Sequence, residues 1–289
     1  IYLDREIEGE LRRLDEVLLL CKPKAVLCMS VIALAWWFGG DSLDAFRGSM
    51  FSLRGVNVVV SSDIYALYKR DELMMAWSMD LQRLNVALNE DFAKGLEDFN
   101  IKICPTFHEC QEFFEEQPSE ANLPYIDRLK LSFDVETRAG TISVMGFATS
   151  PRDAFVVPLM NVDGTSYWSA EEELQIMLWA KELLRHQKVA RALQNGQYDL
   201  QYMVKVYGID FKIDVDTMVE AHMLFTKGQK LSLAYLASLF CTFYRYWKED
   251  GKDFHKSFQS EADFIKYQRY NGFDCCYTYE LAEALVKIN

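Results

Sequence analysis

Residues 129–159 constrain the fold more than any other stretch. Three apolar runs, Leu129 to Val135, Thr141 to Ala148 and Ala154 to Leu159, are joined only by the turn-forming TRAG and TSPRD. Short connections of this composition suit antiparallel hairpins, so the pattern predicts three consecutive strands of one sheet. Helical periodicity then takes over, at 169–185, 198–207, 216–225, 231–239 and 261–287. Ahead of the hairpins, Ile101 to Cys104 reads as a short strand, and Thr106 as the N-cap of a helix carrying Phe107, Cys110, Phe113 and Phe114. The polar run QPSEAN separates that helix from the first of the three strands. Strands followed mostly by helices imply an α/β layout with a mixed sheet.

The first part of the chain has its own pattern. Leu3, Ile7, Leu11, Leu14, Val17 and Leu18 recur at three- and four-residue spacing through 2–20, an amphipathic helix that Pro23 ends. Lys24 to Ser30 reads as a buried strand, Ile32 to Phe38 as a helix, and Gly55 introduces a second apolar strand, Val56 to Val60. Leu73, Trp77, Leu81, Leu84 and Leu88 then make 71–88 helical. Helix, strand, helix, strand, helix is the order of an open parallel sheet. The periodic helix stops within NEDFAKGLEDFN, 89–100, which sets the boundary between a domain of residues 1–98 and one of 99–289.

At 289 residues the chain has room for two such domains. Its 31 Lys and Arg against 43 Asp and Glu leave a net charge of -12, which argues against a broad basic surface for coating duplex DNA. Acidity does not exclude a nucleic-acid substrate; it favours one approached through metal ions. Seven cysteines, odd in number and without a CxxC pair, argue against a disulfide framework and fit a reducing cytoplasm. No apolar run reaches membrane-spanning length, since the longest, Val26 to Phe38, breaks at Gly39 and Gly40, and no membrane partner is expected. The opening IYLDREIEGELRR starts at Ile1 and lacks the basic-then-apolar pattern of an export signal, so a fragment of a longer chain is expected.

Asp134 and Glu136 stand two apart at the end of a predicted strand and share one side of the sheet. Two neighbouring anions are unfavourable unless a cation lies between them, although solvated pairs at strand ends are common. Further acids change the balance. Asp199 opens a helix in LQNGQYDLQYM together with Asn195 and Tyr198, and Tyr270 and Asp274 lie one turn apart on one helix face in YNGFD. Four carboxylates from three elements can converge on two metal ions about 4 Å apart, an arrangement that clamps the attacking and leaving oxygens of a phosphodiester.

SFDVET, LQNGQYDL and YNGFDCCYTYEL resemble the three exonuclease motifs of the DEDD superfamily, in the DEDDy subclass with Tyr four residues before the last Asp. VMGFATSPRDAFVVPL, DTMVEAHML, LSLAYLASL and IKICPTFHECQEFF extend the resemblance to family A DNA polymerases over residues 99–289. It implies an RNase H-like (DnaQ-type) exonuclease domain with a mixed sheet and two divalent cations, Mg2+ or Mn2+. By the resemblance, Asp134, Glu136 and Asp274 bind the metal that holds the nucleophilic water, and Asp134 bridges to a second metal supported by Asp199. Tyr270 orients that water through its hydroxyl, and Thr137, Asn195 and Tyr198 contact the terminal nucleotide. Gln197 departs from the family, where Lys is frequent; that bears on a phosphate contact and not on the metal site.

Taken singly, several of these residues read as ordinary structure. Tyr270 alone is a helix-face aromatic packed on the sheet, and Asn195 alone an N-cap. His186, His222 and His255 are scattered and read as surface or capping residues. Cys104, His108 and Cys110 lack a fourth ligand for zinc, and Cys275 and Cys276 read as core. Phe243, Tyr244, Tyr246 and Trp247 suit either base stacking or burial.

Residues 1–88 carry a second resemblance. PKAVLCMSVIALAWWFGG and FRGSMFSLRGVNVVVSSDIYALYKRDELMMAWSMDLQRL are similar to the C-terminal half of the uracil-DNA glycosylase superfamily, with its Pro-Lys strand, RG turn and His-Pro-Ser loop before a helix. Asp63, Ile64 and Tyr65 occupy the His-Pro-Ser position, and an anionic Asp cannot donate a hydrogen bond to a departing uracil anion. The half of that fold with the water-activating acid is not in this sequence. A partial, degenerate, non-catalytic glycosylase-like domain with a parallel sheet is therefore expected at 1–98. Arg47, Arg54, Lys69 and Arg70 offer a surface for DNA phosphates or for a partner of unknown identity.

Together the resemblances imply the N-terminal portion of a phage-type family A DNA polymerase. The expected activity is proofreading: hydrolysis of single-stranded DNA 3′ ends to nucleoside monophosphates in a bacterial host cytoplasm, with the polymerase domain C-terminal to Asn289. Two other readings stay open, a stand-alone DEDDy exonuclease acting on RNA and a non-catalytic scaffold that docks DNA or a replication partner.

Overall fold

The computed structural model describes residues 5–89, 99–116, 129–225, 229–242, 244–248 and 260–288. The boundary at 90–98, the QPSEAN run, Phe243 and His255 lie outside the described residues. The chain divides into two compact units, one of Ile1–Asp98, Lys227–Lys230 and Ala234–Tyr246, the other of Phe99–Thr226, Leu231–Leu233 and Trp247–Asn289.

In the first unit, α1 (Arg5–Cys21) turns Leu11 inward and precedes β1 (Ala25–Cys28), α2 (Val31–Phe38), α3 (Leu43–Phe46), β2 (Met50–Leu53), β3 (Val56–Val60), α4 (Ile64–Lys69) and α5 (Met74–Asn89). β1 and β3 pair in parallel, as expected, but β2 adds an antiparallel strand that the sequence reading lacks. The RG turn accounts for it. Arg54 and Gly55 both take positive φ, 50° and 83°, the conformation of a two-residue hairpin turn. Alternation then sorts the strand residues: Val58 and Val60 pack with Leu34, Phe46 and Phe51, while Val59 joins Met50, Leu84 and Ala87.

Arg47 is not the surface cation expected of it, being 3% exposed. Its guanidinium pairs at 2.9 Å with the fully buried Asp80 and donates to the Ser238 hydroxyl. Arg83 donates to the Ser238 carbonyl and, at 2.6 Å, to that of Cys241. Buried guanidiniums need acceptors, and residues Ala234–Tyr246 supply them. That segment therefore belongs to the first unit, although the sequence reading assigns it to the domain at 99–289.

The second unit contains β4 (Asn100–Lys102), α6 (Phe107–Glu116), β5 (Leu129–Arg138), β6 (Thr141–Ala148), β7 (Asp153–Pro158), α7 (Ala170–Arg185), β8 (Val189–Leu193), α8 (Gln197–Tyr207), β9 (Val215–Asp216) and α9 (Thr217–Leu224). After α10 (Leu233–Phe240), most of which lies in the first unit, α11 (Glu261–Ile288) closes the chain. The strands form one mixed sheet in the order β4-β7-β6-β5-β8-β9. β5, β6 and β7 make the expected antiparallel meander, and β8 and β9 continue in parallel beside β5. No strand is expected at 189–193 from the sequence, because Arg191 interrupts a short apolar run. In the fold that side chain is buried and bonds Asp214 at 2.5 Å.

Strand alternation assigns the two faces of this sheet. Phe133, Val135, Met145, Phe147 and Val157 enter a core with Phe114 of α6 and Ile176 and Leu184 of α7. Val144, Ala148 and Val156 pack instead with Phe264, Tyr267, Cys275 and Cys276 of α11. Asp134 and Glu136 are out of phase with Phe133 and Val135 and are therefore delivered to the α11 face. Two glycines let that helix come close. A Cβ on Gly146, the partner of Asp134 across β5 and β6, would stand 2.2 Å from Asn271 Oδ1 and 2.6 Å from Cys275 Sγ; one on Gly272 would stand 2.4 Å from Ile101. No helix among the described residues is long and apolar enough to cross a membrane.

Candidate active site

Ligand atoms of Asp134, Glu136 and Asp274 all lie within 4.8 Å of one another. The first two come from β5; Asp274 comes from α11 and is 5% exposed. Asp199, in the first turn of α8, lies outside that group but accepts from Val135 N at 2.8 Å, which ties it to the strand between the first two acids. A bulge shapes the strand end. Glu136 pairs with Val144 and Thr137 with Ile142, leaving Ser143 as the extra residue, and its hydroxyl donates to the Glu136 carbonyl at 2.8 Å.

Crowding carboxylates in a buried place moves them upward. Burial, followed by the charges of Asp199, Glu136 and Asp274, holds Asp134 well above the usual carboxylate range. Burial and Asp274 push Glu136 up to about 8, and burial pushes Asp199 to about 7. Groups in this condition take up a proton or a cation. An all-carboxylate donor set suits a hard divalent ion such as Mg2+ or Mn2+. A cation already touches it, since Lys248 Nζ lies 2.5 Å from Asp274 Oδ2. The residues present therefore fit divalent metal.

Tyr270 lies one helical turn before Asp274, and its hydroxyl accepts from Lys248 Nζ at 2.6 Å. Burial, then the charges of Asp274 and Glu136, holds the phenol far above its ordinary range, so it keeps its proton at neutral pH. Thr137 and Tyr198 meet with their hydroxyls 2.6 Å apart, and Tyr198 is exposed. Asn195 is not the cap of α8: Gly196 holds that position, and Asn195 takes a left-handed φ of 58°.

A family model described as 3′-5′ exonuclease matches residues 108–288. The chain belongs to the 3′-5′ exonuclease family. The exonuclease is similar to solved structures at low identity. Trypanosoma brucei RNase D shares 12% identity at a TM-score of 0.49, with 66% of each chain covered. Brucella melitensis NrnC with bound Mg2+ shares 15% at 0.42, covering 58% of this chain and 76% of that one. The POL domain of Pol1 from M. smegmatis shares 13% at 0.42, covering 65% and 27% respectively. No curated protein matches the sequence significantly. The fold is α/β with a mixed sheet, and the acid cluster at its centre suits divalent metal ions.

Three residues of the exonuclease site, Asn271, Asp216 and Lys248, have no role in the sequence reading, and a fourth, Trp247, has a different one. Asn271 Nδ2 donates to Asp134 Oδ2 at 2.7 Å, and its Oδ1 is buried without a partner among the described residues. It had a signal, being three residues before Asp274 on the same helix face. Asp216 accepts from Asn195 N at 3.1 Å and Gly196 N at 2.9 Å while capping α9 through Met218 N, so one carboxylate fixes the Asn195 corner. Trp247 Nε1 donates to Asp274 Oδ1 at 2.5 Å. Trp247 drew notice only as one of an aromatic cluster, and Lys248, outside every periodic segment, had no comparable signal. Trp247 is buried and stacked on Tyr277, and Tyr244 is buried, so neither is a free platform for bases. Cys110 lies in the core and His108 on an exposed face, while Cys275 and Cys276 turn from α11 onto the sheet.

Proposed function

We propose that the chain is the proofreading part of a family A DNA polymerase, releasing nucleoside monophosphates from single-stranded DNA 3′ ends, with polymerisation carried C-terminal to Asn289. The observation that supports this most directly is the convergence of ligand atoms from Asp134, Glu136 and Asp274 within 4.8 Å. In this reading those three hold one divalent cation, and Asp134 and Asp199 hold a second. When bound, the ions neutralise charge developing on the attacking and leaving oxygens. Tyr270 orients the attacking water through its hydroxyl, which keeps its proton beside Asp274. Thr137, Asn195 and Tyr198 hold the terminal nucleotide at the open side of the site.

The polymerase context is supported by the resemblance that runs on through VMGFATSPRDAFVVPL and DTMVEAHML, and by the glycosylase-like segment before it. That segment acts as a non-catalytic docking module. Asp63 spends its carboxylate capping α4, accepting from Tyr65 N at 2.8 Å and Ala66 N at 3.2 Å. The test is hydrolysis in Mg2+ of labelled DNA and RNA of one sequence, single-stranded, paired or mismatched at the 3′ end. Single-stranded and mismatched DNA should be shortened fastest. Preference for RNA would move the reading to an RNA exonuclease, and equal rates in excess EDTA would remove metal from the mechanism.

A further inference from the structure

Among the described residues, one side-chain cation bonds the acid cluster. Lys248 Nζ lies 2.5 Å from Asp274 Oδ2, 2.6 Å from the Tyr270 hydroxyl and 4.4 Å from the centre of the Tyr270 ring. Its charge also offsets part of the repulsion felt by Asp134 and Glu136. Both oxygens of Asp274 are thus engaged, Oδ1 by the Trp247 indole and Oδ2 by the ammonium.

The two donors differ in what they permit. The indole is neutral and its residue is 5% exposed, with the ring stacked on Tyr277 at 4.2 Å, so it stays where it is. A hydrogen bond to one carboxylate oxygen is compatible with metal ligation through the other and helps orient it. The ammonium, by contrast, has the sign of charge of a metal ion and occupies the remaining oxygen. It stands on a flexible stem with 24% of the side chain exposed, which leaves it a way out. We propose that Lys248 is a resident counter-ion that occupies the metal-ligating oxygen of Asp274 and exchanges with the divalent ion, so that metal loading and Lys248 release are one event. This rests on the reading of Asp274 as a metal ligand. Before loading, the same ammonium keeps Tyr270 and Asp274 in register; its displacement sets how much metal the exonuclease needs.

The test is calorimetric titration of the full chain with Mn2+ alone at pH 8, for wild type, Lys248→Met, Lys248→Arg and Asp274→Asn. Lys248→Met should bind Mn2+ at least about tenfold more tightly, the scale of losing one close charge competitor. In chelator it should melt lower, because the carboxylates lose their counter-ion. Lys248→Arg, which keeps the charge, should bind closer to wild type. Equal or weaker binding by Lys248→Met overturns the proposal. A second readout uses wild type only: acetylation followed by mass spectrometry should label Lys248 faster in Mn2+ than in chelator, and an unchanged rate overturns the proposal as well. Asp274→Asn separates the two failures. Binding there as tight as wild type, or no binding by wild type, removes the metal reading itself; weakened binding there with Lys248→Met unchanged removes only the exchange.

Discussion

Asp134 and Tyr270 share a site, yet removing them has different expected costs. Asp134→Ala deletes the residue that touches both proposed metals, so hydrolysis should fall to background, while the chelated protein melts higher because clustered like charges are relieved. Tyr270→Phe deletes one hydroxyl and keeps the ring, so kcat should fall on the order of 10²-fold with metal affinity retained. Single-turnover rates on labelled DNA check both, and a Tyr270→Phe rate equal to wild type would reduce the ring to packing. The raised carboxyls add a pH dependence. Glu136 titrates at about 8 when folded and about 4 when unfolded, so the stability it lends is complete below about pH 4 and lost as the pH rises through about 8. In chelator, Glu136→Gln should therefore melt with wild type near pH 4 and increasingly above it toward pH 8; a gap that does not change with pH would contradict the buried, charge-crowded setting of this carboxyl. The acids and the tyrosine were legible in the sequence because a spacing of two on a strand and four on a helix decides a shared face. Asn271, Trp247 and Lys248 act through partners that only tertiary approach brings within reach.

At the scale of elements, the approach of α11 to β6 depends on the absence of one side chain. Gly146→Ala places a methyl within 3 Å of Asn271 and Cys275, so either the helix or the strand must shift. A destabilisation of about 1–3 kcal/mol is expected, with loss of activity because Asn271 holds Asp134. Gly9→Ala in α1 meets nothing within 4 Å and should instead stabilise by up to about 1 kcal/mol. Urea unfolding of the two variants measures the contrast. The meander β5 to β7 and the long α11 were legible because turn residues and unbroken periodicity mark them. β8 was not, since a buried Arg191 that bonds Asp214 reads in one dimension as a polar interruption. β2 was hidden by its shortness, four residues ahead of a turn whose positive φ at Arg54 the sequence does not announce.

The whole molecule is shaped by the discontinuity of its first unit. Asp80→Ala leaves the Arg47 and Arg83 guanidiniums buried without their carboxylate, which should cost about 3–5 kcal/mol and expose 234–246 to limited proteolysis. Protection of that segment equal to wild type would show that the carbonyls alone suffice. Here the sequence reading was blind, since nothing in the periodicity of 231–239 says which core it joins. The arrangement also has a consequence in time. Arg83 bonds carbonyls 155 and 158 residues further along the chain. At ribosomal speeds of about 5–20 residues per second, these acceptors emerge roughly ten to thirty seconds after the arginine. The first unit therefore stays incomplete until residues 234–246 have been made, and until then Arg83 has no Ser238 or Cys241 carbonyl to bond and Arg47 no Ser238 hydroxyl.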